Sequence, residues 1–443
     1  MKKTKQSDIE KYPFCAAPWA EGVLGINGEL RPCSKLPTNL LQLDWRETGL
    51  ENAYNSKAMI QFREKIIAGT PPHPYCQTCI DTGTTRLLDV SLKRAYRVAI
   101  NEMKKINDVL DYSVIYQIKS ILSMRCSSNK SMQQIDDFRS ICNDWAYKHP
   151  EIKGYISKLL VVLRVCESYL NRDITVPVIA SFRQVSLKLK CNAKCIHCPG
   201  KYSGWINSKS KLDVEYYDEA FSHEDDITDF FMNGAEFLFV DDWKEITKIL
   251  KRANVKAAIS TNGILLTKSN IKYLIDNECM DSLNVSLDGG TKETIETIRS
   301  GLNYDILMKN LEYLFKYAYE KKYQFSLSFS FVLMKSNYTE FPELIRVMSE
   351  LKKKISPDNI YPTIGFGCAS LDQNDVPGYN EFAAAEHIDS IEHEELKKVF
   401  DKCKQYSDLY NVSVEIFVKY NIDSYISEGY PIPKRALHHM IGK

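Results

Sequence analysis

Cys191-Asn192-Ala193-Lys194-Cys195-Ile196-His197-Cys198 follows an alternating apolar run at Val185, Leu187 and Leu189. Alternation of period two marks a strand, so the first cysteine stands where that strand ends and a loop begins. Thiolates at CxxxCxxC spacing are soft ligands gathered on one short loop, suited to iron–sulfur chemistry or to zinc. Three thiolates hold three irons of a cubane and leave the fourth open, just as a catalytic metal site keeps one position for a reactant. The same residues also allow a structural zinc knuckle, with His197 as the fourth ligand.

Downstream of this loop, apolar runs occupy 227–232, 255–260, 283–287, 325–333 and 360–366, separated by helical patterns at 243–250, 270–275, 306–317 and 341–351. Strands alternating with helices imply an α/β fold with a parallel sheet, and in such sheets chemistry gathers at the carboxyl ends of the strands. Those ends carry Asn233-Gly234-Ala235-Glu236-Phe237, Ser260-Thr261-Asn262-Gly263, Asn284 to Gly289, and Ile364-Gly365-Phe366-Gly367. Asp288 reads as the cap of the helix that follows it. A further strand is expected over 411–418.

Upstream, Cys15, Cys33, Cys76 and Cys79 form a second cysteine group, with Asn27-Gly28 between the first two as a hairpin turn. Four thiolates suffice for a closed cluster or for zinc. A redox CxxC is disfavoured because no βαβ pattern surrounds it. From Leu88 to about Leu170 the apolar residues step by three or four, as in Leu92, Ala95, Ala99, Met103, Ile106 and Leu110, and again from Ile152 to Leu163. These are amphipathic helices, read as a spacer.

CxxxCxxC after a first strand resembles the signature of the radical S-adenosylmethionine (SAM) superfamily, and the upstream group resembles its twitch module, a shortened SPASM domain. The resemblance implies a partial (βα)6 barrel at 177–372, a twitch domain at 1–86 that here precedes the barrel, a helical insert at 87–176 and an extension at 373–443. It implies two [4Fe-4S] clusters, one on Cys191, Cys195 and Cys198 and an auxiliary one on Cys15, Cys33, Cys76 and Cys79. SAM would contact His197, Gly234, Glu236, Ser286 and Arg299. Glu236 would receive its ammonium and Arg299 its carboxylate, while the His197 ring would lie near adenine. Ala235 and Phe237 depart from the family's Gly-Gly-Glu-Pro. The implied chemistry is reductive cleavage of SAM and hydrogen abstraction from a substrate carbon. It ends in oxidation, with the auxiliary cluster as electron carrier, or in epimerisation, with Cys368 as a candidate hydrogen donor. The substrate is a small molecule or a peptide, and the electron comes from a flavodoxin- or ferredoxin-type reductant. Maturation of a ribosomal peptide, or a non-catalytic iron–sulfur or zinc scaffold, are the alternatives.

The chain has 443 residues, enough for two or three domains. Its 58 basic against 57 acidic residues give no electrostatic footprint for nucleic acid or an anionic membrane. No uncharged run reaches transmembrane length, and 13 cysteines, an odd number, argue for metal ligation in the cytosol over a disulfide framework.

Overall fold

The computed structural model of the chain describes residues 14–25, 28–33, 36–37, 40–41, 44–81, 129–176, 182–186, 190–204, 206, 214–221, 230–233, 235–356, 362–371 and 378–417. It divides into two compact units. One comprises Met1–Ser186, Leu212–Phe231 and Lys244–Ala257, the other Leu187–Lys211, Met232–Trp243 and Ala258–Lys443. No helix among the described residues is long and apolar enough to cross a membrane.

In the first unit, β1 (Gly22–Leu24) pairs antiparallel with β2 (Leu30–Arg31) and parallel with β3 (Phe182–Ser186). Gly28 turns the hairpin at a φ of 82°, where glycine is unstrained; Asn27 lies outside the described residues. Helices Asn129–Lys148 and Lys153–Asn171 pack on each other, the second burying Ile156, Leu159, Leu163, Cys166 and Leu170 at helical spacing. The expected helix from Leu92 to Leu110 lies outside the described residues. Arg63 is fully buried and donates to the carbonyls of Pro18 (3.0 Å), Tyr54 (2.9 Å) and Ile174 (2.9 Å). These acceptors replace the water that its guanidinium gives up on burial.

The second unit holds the carboxyl ends of β4 (Phe230–Asn233) and β5 (Ala257–Thr261) and all of β6 (Met280–Ser286), β7 (Ser326–Leu333), β8 (Thr363–Ser370) and β9 (Ser413–Phe417), in that strand order, with β6 through β9 parallel. Alternation fixes which side is covered. Leu327, Phe329, Phe331 and Leu333 of β7 are buried, whereas Ser328, Ser330 and Val332 are half-buried. Phe329 stacks on Phe366 at 5.4 Å between centroids, and Phe331 meets Phe341 of helix Phe341–Ile355 at 5.1 Å. The apolar side of β7 thus lies under a helix, and the opposite side carries small polar residues.

Strand register separates the two readings of Cys368, small buried hydrophobe or hydrogen donor. Cys368 is the register partner of Phe331, so its side chain belongs to the helix-covered side, is 1 % exposed, and lies in electrostatic range of Cys403 on helix His393–Tyr410. It does not line the half-exposed face that Gly365 and Gly367 share with Ser328 and Ser330.

The turn after β5 is the least tolerant backbone position near that face. Gly263 has a φ of 82°, and a Cβ there would stand 2.5 Å from the Leu307 side chain and 3.3 Å from Val285. Its carbonyl accepts from Asn310 at 3.0 Å. Gly263→Ala is expected to cost about 1–3 kcal/mol, a strained left-handed residue plus a forced repacking. Urea unfolding should show this as a lower midpoint with an unchanged slope.

Candidate functional site

The cysteine loop is lashed down through its backbone. Lys194 N–H donates to the Ser300 carbonyl (2.8 Å), Ile196 N–H to Ile298 (2.9 Å), and Glu236 N–H to Lys190 (2.8 Å). Cys198 precedes the short helix Pro199–Ser203, whose first position suits proline because the missing N–H has no helical partner there. The Tyr202 hydroxyl donates back to the Ile196 carbonyl at 3.0 Å, and its ring meets Tyr379 and Phe382.

This anchoring brings the three thiols together. Cys195 is buried with Ala193 and Leu302, and Cys191, Cys198 and Ile264 pack against them. The Ala193 N–H points at Cys191 Sγ (3.4 Å), and Arg299 Nη1 lies 3.7 Å from Cys195 Sγ. A set of three thiols, two of them receiving N–H donors, suits an iron–sulfur cluster, since thiolate is soft and its charge is stabilised by such donors. Burial pushes the Cys195 thiol up to about 11 against the pull of Arg299, so ligation there displaces a proton. Among the described residues, no three His, Cys, Asp or Glu side chains close around a single ion.

Beside Cys195 lies a fully buried carboxylate. Asp288 follows β6 at a φ of 59°, a left-handed conformation that Asp tolerates better than most side chains. Its Oδ2 stands 2.6 Å from Arg299 Nη2 and 3.2 Å from His197 Nε2, while Oδ1 accepts from Val332 N–H at 2.7 Å. Buried Asn337 donates to the Asp288 carbonyl (3.0 Å) and to the Val332 carbonyl (3.0 Å), and accepts from Met334 N–H (2.8 Å). Asp288 is therefore not the cap expected of it. Thr291 caps helix Lys292–Ile298 by accepting from Thr294 N–H (3.4 Å).

His197 stands against this carboxylate, and its Nδ1 has no hydrogen-bond partner among the described residues. Burial, only partly opposed by Asp288, pulls its pKa below the usual imidazole value.

Glu236 is the second buried carboxylate, 2 % exposed. Thr261 Oγ1 donates to it at 2.6 Å and Asn262 N–H at 2.7 Å, and the Asn262 side chain reaches Asn192 in the cysteine loop at 2.8 Å. Burial raises the Glu236 pKa above its ordinary 4.5, and these hydrogen bonds offset it only in part. Gly234 lies outside the described residues, Ala235 is half-buried, and Phe237 is a core residue against Trp243 at 5.8 Å.

Ser286 belongs to a polar ladder on the half-exposed strand face. It accepts from Ser330 (3.0 Å), while the Asn284 amide donates to Ser260 (3.0 Å) and Ser330 (3.1 Å) and accepts from Ser328 (3.0 Å). Sequence reasoning passed over Asn192, Asn284 and Asn337, all of which here join separate segments. Their one sequence signal is a polar side chain set among apolar strand ends.

In the first unit, Cys76 and Cys79 sit one turn apart on helix Pro74–Asp81, and Cys33 follows β2. Burial, with Cys33 and Cys79 as electrostatic neighbours, pushes the Cys76 thiol up to about 11. Cys15 lies just ahead of helix Ala17–Ala20.

Residues 185–348 match the model of the Radical SAM superfamily. The match covers the segment that carries the cysteine loop and both buried carboxylates. An uncharacterised protein of Archaeoglobus fulgidus is 26% identical over 35% of this chain and 35% of its own length. A probable GTP 3′,8-cyclase of Methanococcus maripaludis is 31% identical over 30% of this chain and 45% of its own. The chain thus spans less than half the length of these curated relatives. Streptococcus suis SuiB bound to S-adenosylmethionine has 15% identity and a TM-score of 0.41, covering 58% of this chain and 55% of that one. A match to this superfamily's model implies a [4Fe-4S] cluster and SAM for the matched residues.

The two roles available to residues after β6 differ in cost. Thr291→Ala removes a cap and should cost about 1 kcal/mol. Asp288→Ala strands a buried guanidinium and should cost about 3–5 kcal/mol. Urea midpoints of the two variants measured side by side check the difference, and similar losses would contradict the assignment.

Proposed function

We propose that this chain is a radical SAM enzyme that oxidises a small molecule. The reading rests on one observation above the rest: three thiols at CxxxCxxC spacing converge inside a segment that matches the superfamily. Cys191, Cys195 and Cys198 hold a [4Fe-4S] cluster, within a partial (βα)6 barrel. When bound, the cluster and SAM supply reductive cleavage and a carbon-centred oxidant able to remove a substrate hydrogen.

The chain's own residues supply the positioning. Glu236 is a buried carboxylate whose direct hydrogen-bond partners are the neutral Thr261 and Asn262, which suits a receptor for the SAM ammonium. The Ser286 hydroxyl, at the polar ladder, is placed to meet the SAM ribose or carboxylate. The twitch-like group Cys15, Cys33, Cys76 and Cys79 carries an auxiliary cluster that accepts an electron from the substrate. Oxidation is favoured over epimerisation because Cys368, the candidate hydrogen donor, lies on the helix-covered side of β8. A flavodoxin- or ferredoxin-type protein supplies the reducing electron.

Anaerobic reconstitution followed by iron analysis and an assay for 5′-deoxyadenosine with dithionite and SAM tests the reading. The expected result is about eight irons per chain, four for each [4Fe-4S] cluster, and 5′-deoxyadenosine formation. Cys195→Ala should abolish the product and keep the auxiliary iron. Tightly bound zinc in place of iron, or no SAM cleavage by the iron-loaded chain, would leave a non-catalytic scaffold.

The raised Glu236 pKa gives a second expectation. A cation binds the ionised carboxylate, and that form grows as pH rises from the ordinary 4.5 through the higher native value. SAM affinity should therefore rise with pH over that interval, with release of a proton, and lose this dependence in Glu236→Gln. Isothermal titration in two buffers of different ionisation enthalpy reads the proton directly.

A further inference from the structure

We propose that Arg299 tunes the reduction potential of the cluster held by Cys195, and that Asp288 positions it for that task. This assigns Arg299 a partner other than the SAM carboxylate. It rests on the reading that Cys191, Cys195 and Cys198 carry an iron–sulfur cluster.

Two of the three guanidinium nitrogens face partners, while Nε is buried without a hydrogen-bond partner among the described residues. Arg299 is 7 % exposed; Nη2 is 2.6 Å from Asp288 and Nη1 is aimed at Cys195 Sγ at 3.7 Å. Asp288 cannot follow a moving arginine, because Val332 N–H holds its other oxygen and Asn337 holds its backbone. The arginine is also fixed from its own side. The carbonyls of Ile298 and Ser300, on either side of it, take the backbone N–H groups of Ile196 and Lys194, which flank Cys195. One three-residue segment, 298–300, therefore delivers both the backbone that supports the ligand and the charge that faces its sulfur.

Such placement has an electrostatic consequence. Reduction adds one negative charge to a cluster, and an N–H donor and a cation withdrawn from water stabilise that charge more than they could when solvated. Asp288 opposes the effect in part, and His197 shares the same carboxylate oxygen. Arg299 thus makes the cluster easier to reduce, and Asp288 holds the gain in check while fixing the geometry.

The test is a redox titration of the reconstituted full chain without SAM, followed by electron paramagnetic resonance of the signal that Cys195→Ala removes. SAM binding is measured in parallel on the oxidised protein. In Arg299→Gln, the reduced fraction at a fixed potential should fall about tenfold, equivalent to about 59 mV for one electron, with SAM affinity changed less than about threefold. Arg299→Lys, which keeps charge and an N–H donor, should recover most of the potential. Asp288→Asn leaves the cation uncompensated and should move the potential the opposite way, a sign that general loosening of the site would not produce. If Arg299→Gln fails to retain iron, the sign in Asp288→Asn decides. An unchanged potential with SAM affinity lost would return Arg299 to the SAM carboxylate and overturn the proposal. Potentials unchanged in both variants would overturn it equally. A wild-type chain that assembles no cluster on these cysteines would overturn the underlying reading itself.

Discussion

A carboxylate with no exposed surface sets the terms for everything around the cysteine loop. Moving the Asp288 charge out of water is costly, and the cost is offset only if every lone pair finds a donor in the right place. Val332 N–H meets that demand at Oδ1, whereas at Oδ2 the compensation is the charge of Arg299 at 2.6 Å with His197 at 3.2 Å, and no hydrogen bond forms there among the described residues. The loop that carries the thiols, the segment after helix Lys292–Ile298 and the end of β7 are therefore tied to one point. Removing Arg299 leaves the buried carboxylate without a counter-charge, and removing Asp288 does the same to the guanidinium.

The second buried carboxylate is built differently. Asp288 is matched by a cation at 2.6 Å, whereas the donors on Glu236 are a hydroxyl and a backbone amide. Neutral donors orient a carboxylate without cancelling its charge, and in a desolvated place the proton is retained to higher pH. Two acids a few strands apart thus reach opposite conditions, one matched by a cation and structural, the other without a cation at hydrogen-bond distance. Asn262 links the second to the cysteine loop through Asn192, so both acids report on the position of the same thiols.

Most of the parallel sheet was legible because its signal is local. Runs at 255–260, 283–287, 325–333 and 360–366 become β5 through β8 within a few residues, and β7 alternates serine with large apolar residues as a half-buried strand must. The cysteine spacings were legible for the same reason. Asp288 was not, because an aspartate shortly before a helix satisfies the rule for a cap; its left-handed backbone and a partner 11 positions away, at Arg299, are tertiary facts. The side taken by Cys368 was open to inspection. It shares parity with Ile364 and Phe366, and Gly365 and Gly367 occupy the other parity, so strand alternation alone assigns it to the covered side.

That alternation also bears on what the half-exposed face does. Inward positions of parallel barrels are ordinarily filled by branched aliphatic residues packing against each other. Here β6, β7 and β8 present Asn284, Ser286, Ser328, Ser330, Gly365 and Gly367 on one side, residues too small and too polar to close into a core. Their hydrogen bonds run from strand to strand, so the face pays little when water leaves it, and its donors are oriented before any ligand arrives. Under the hydrogen abstraction proposed for this chain, the composition has a further merit. It places few tertiary or long-chain aliphatic C–H groups on that face, and what lies there is held still by its neighbours. A surface of this kind leaves the apolar content of the strands on the side where the helices cover it.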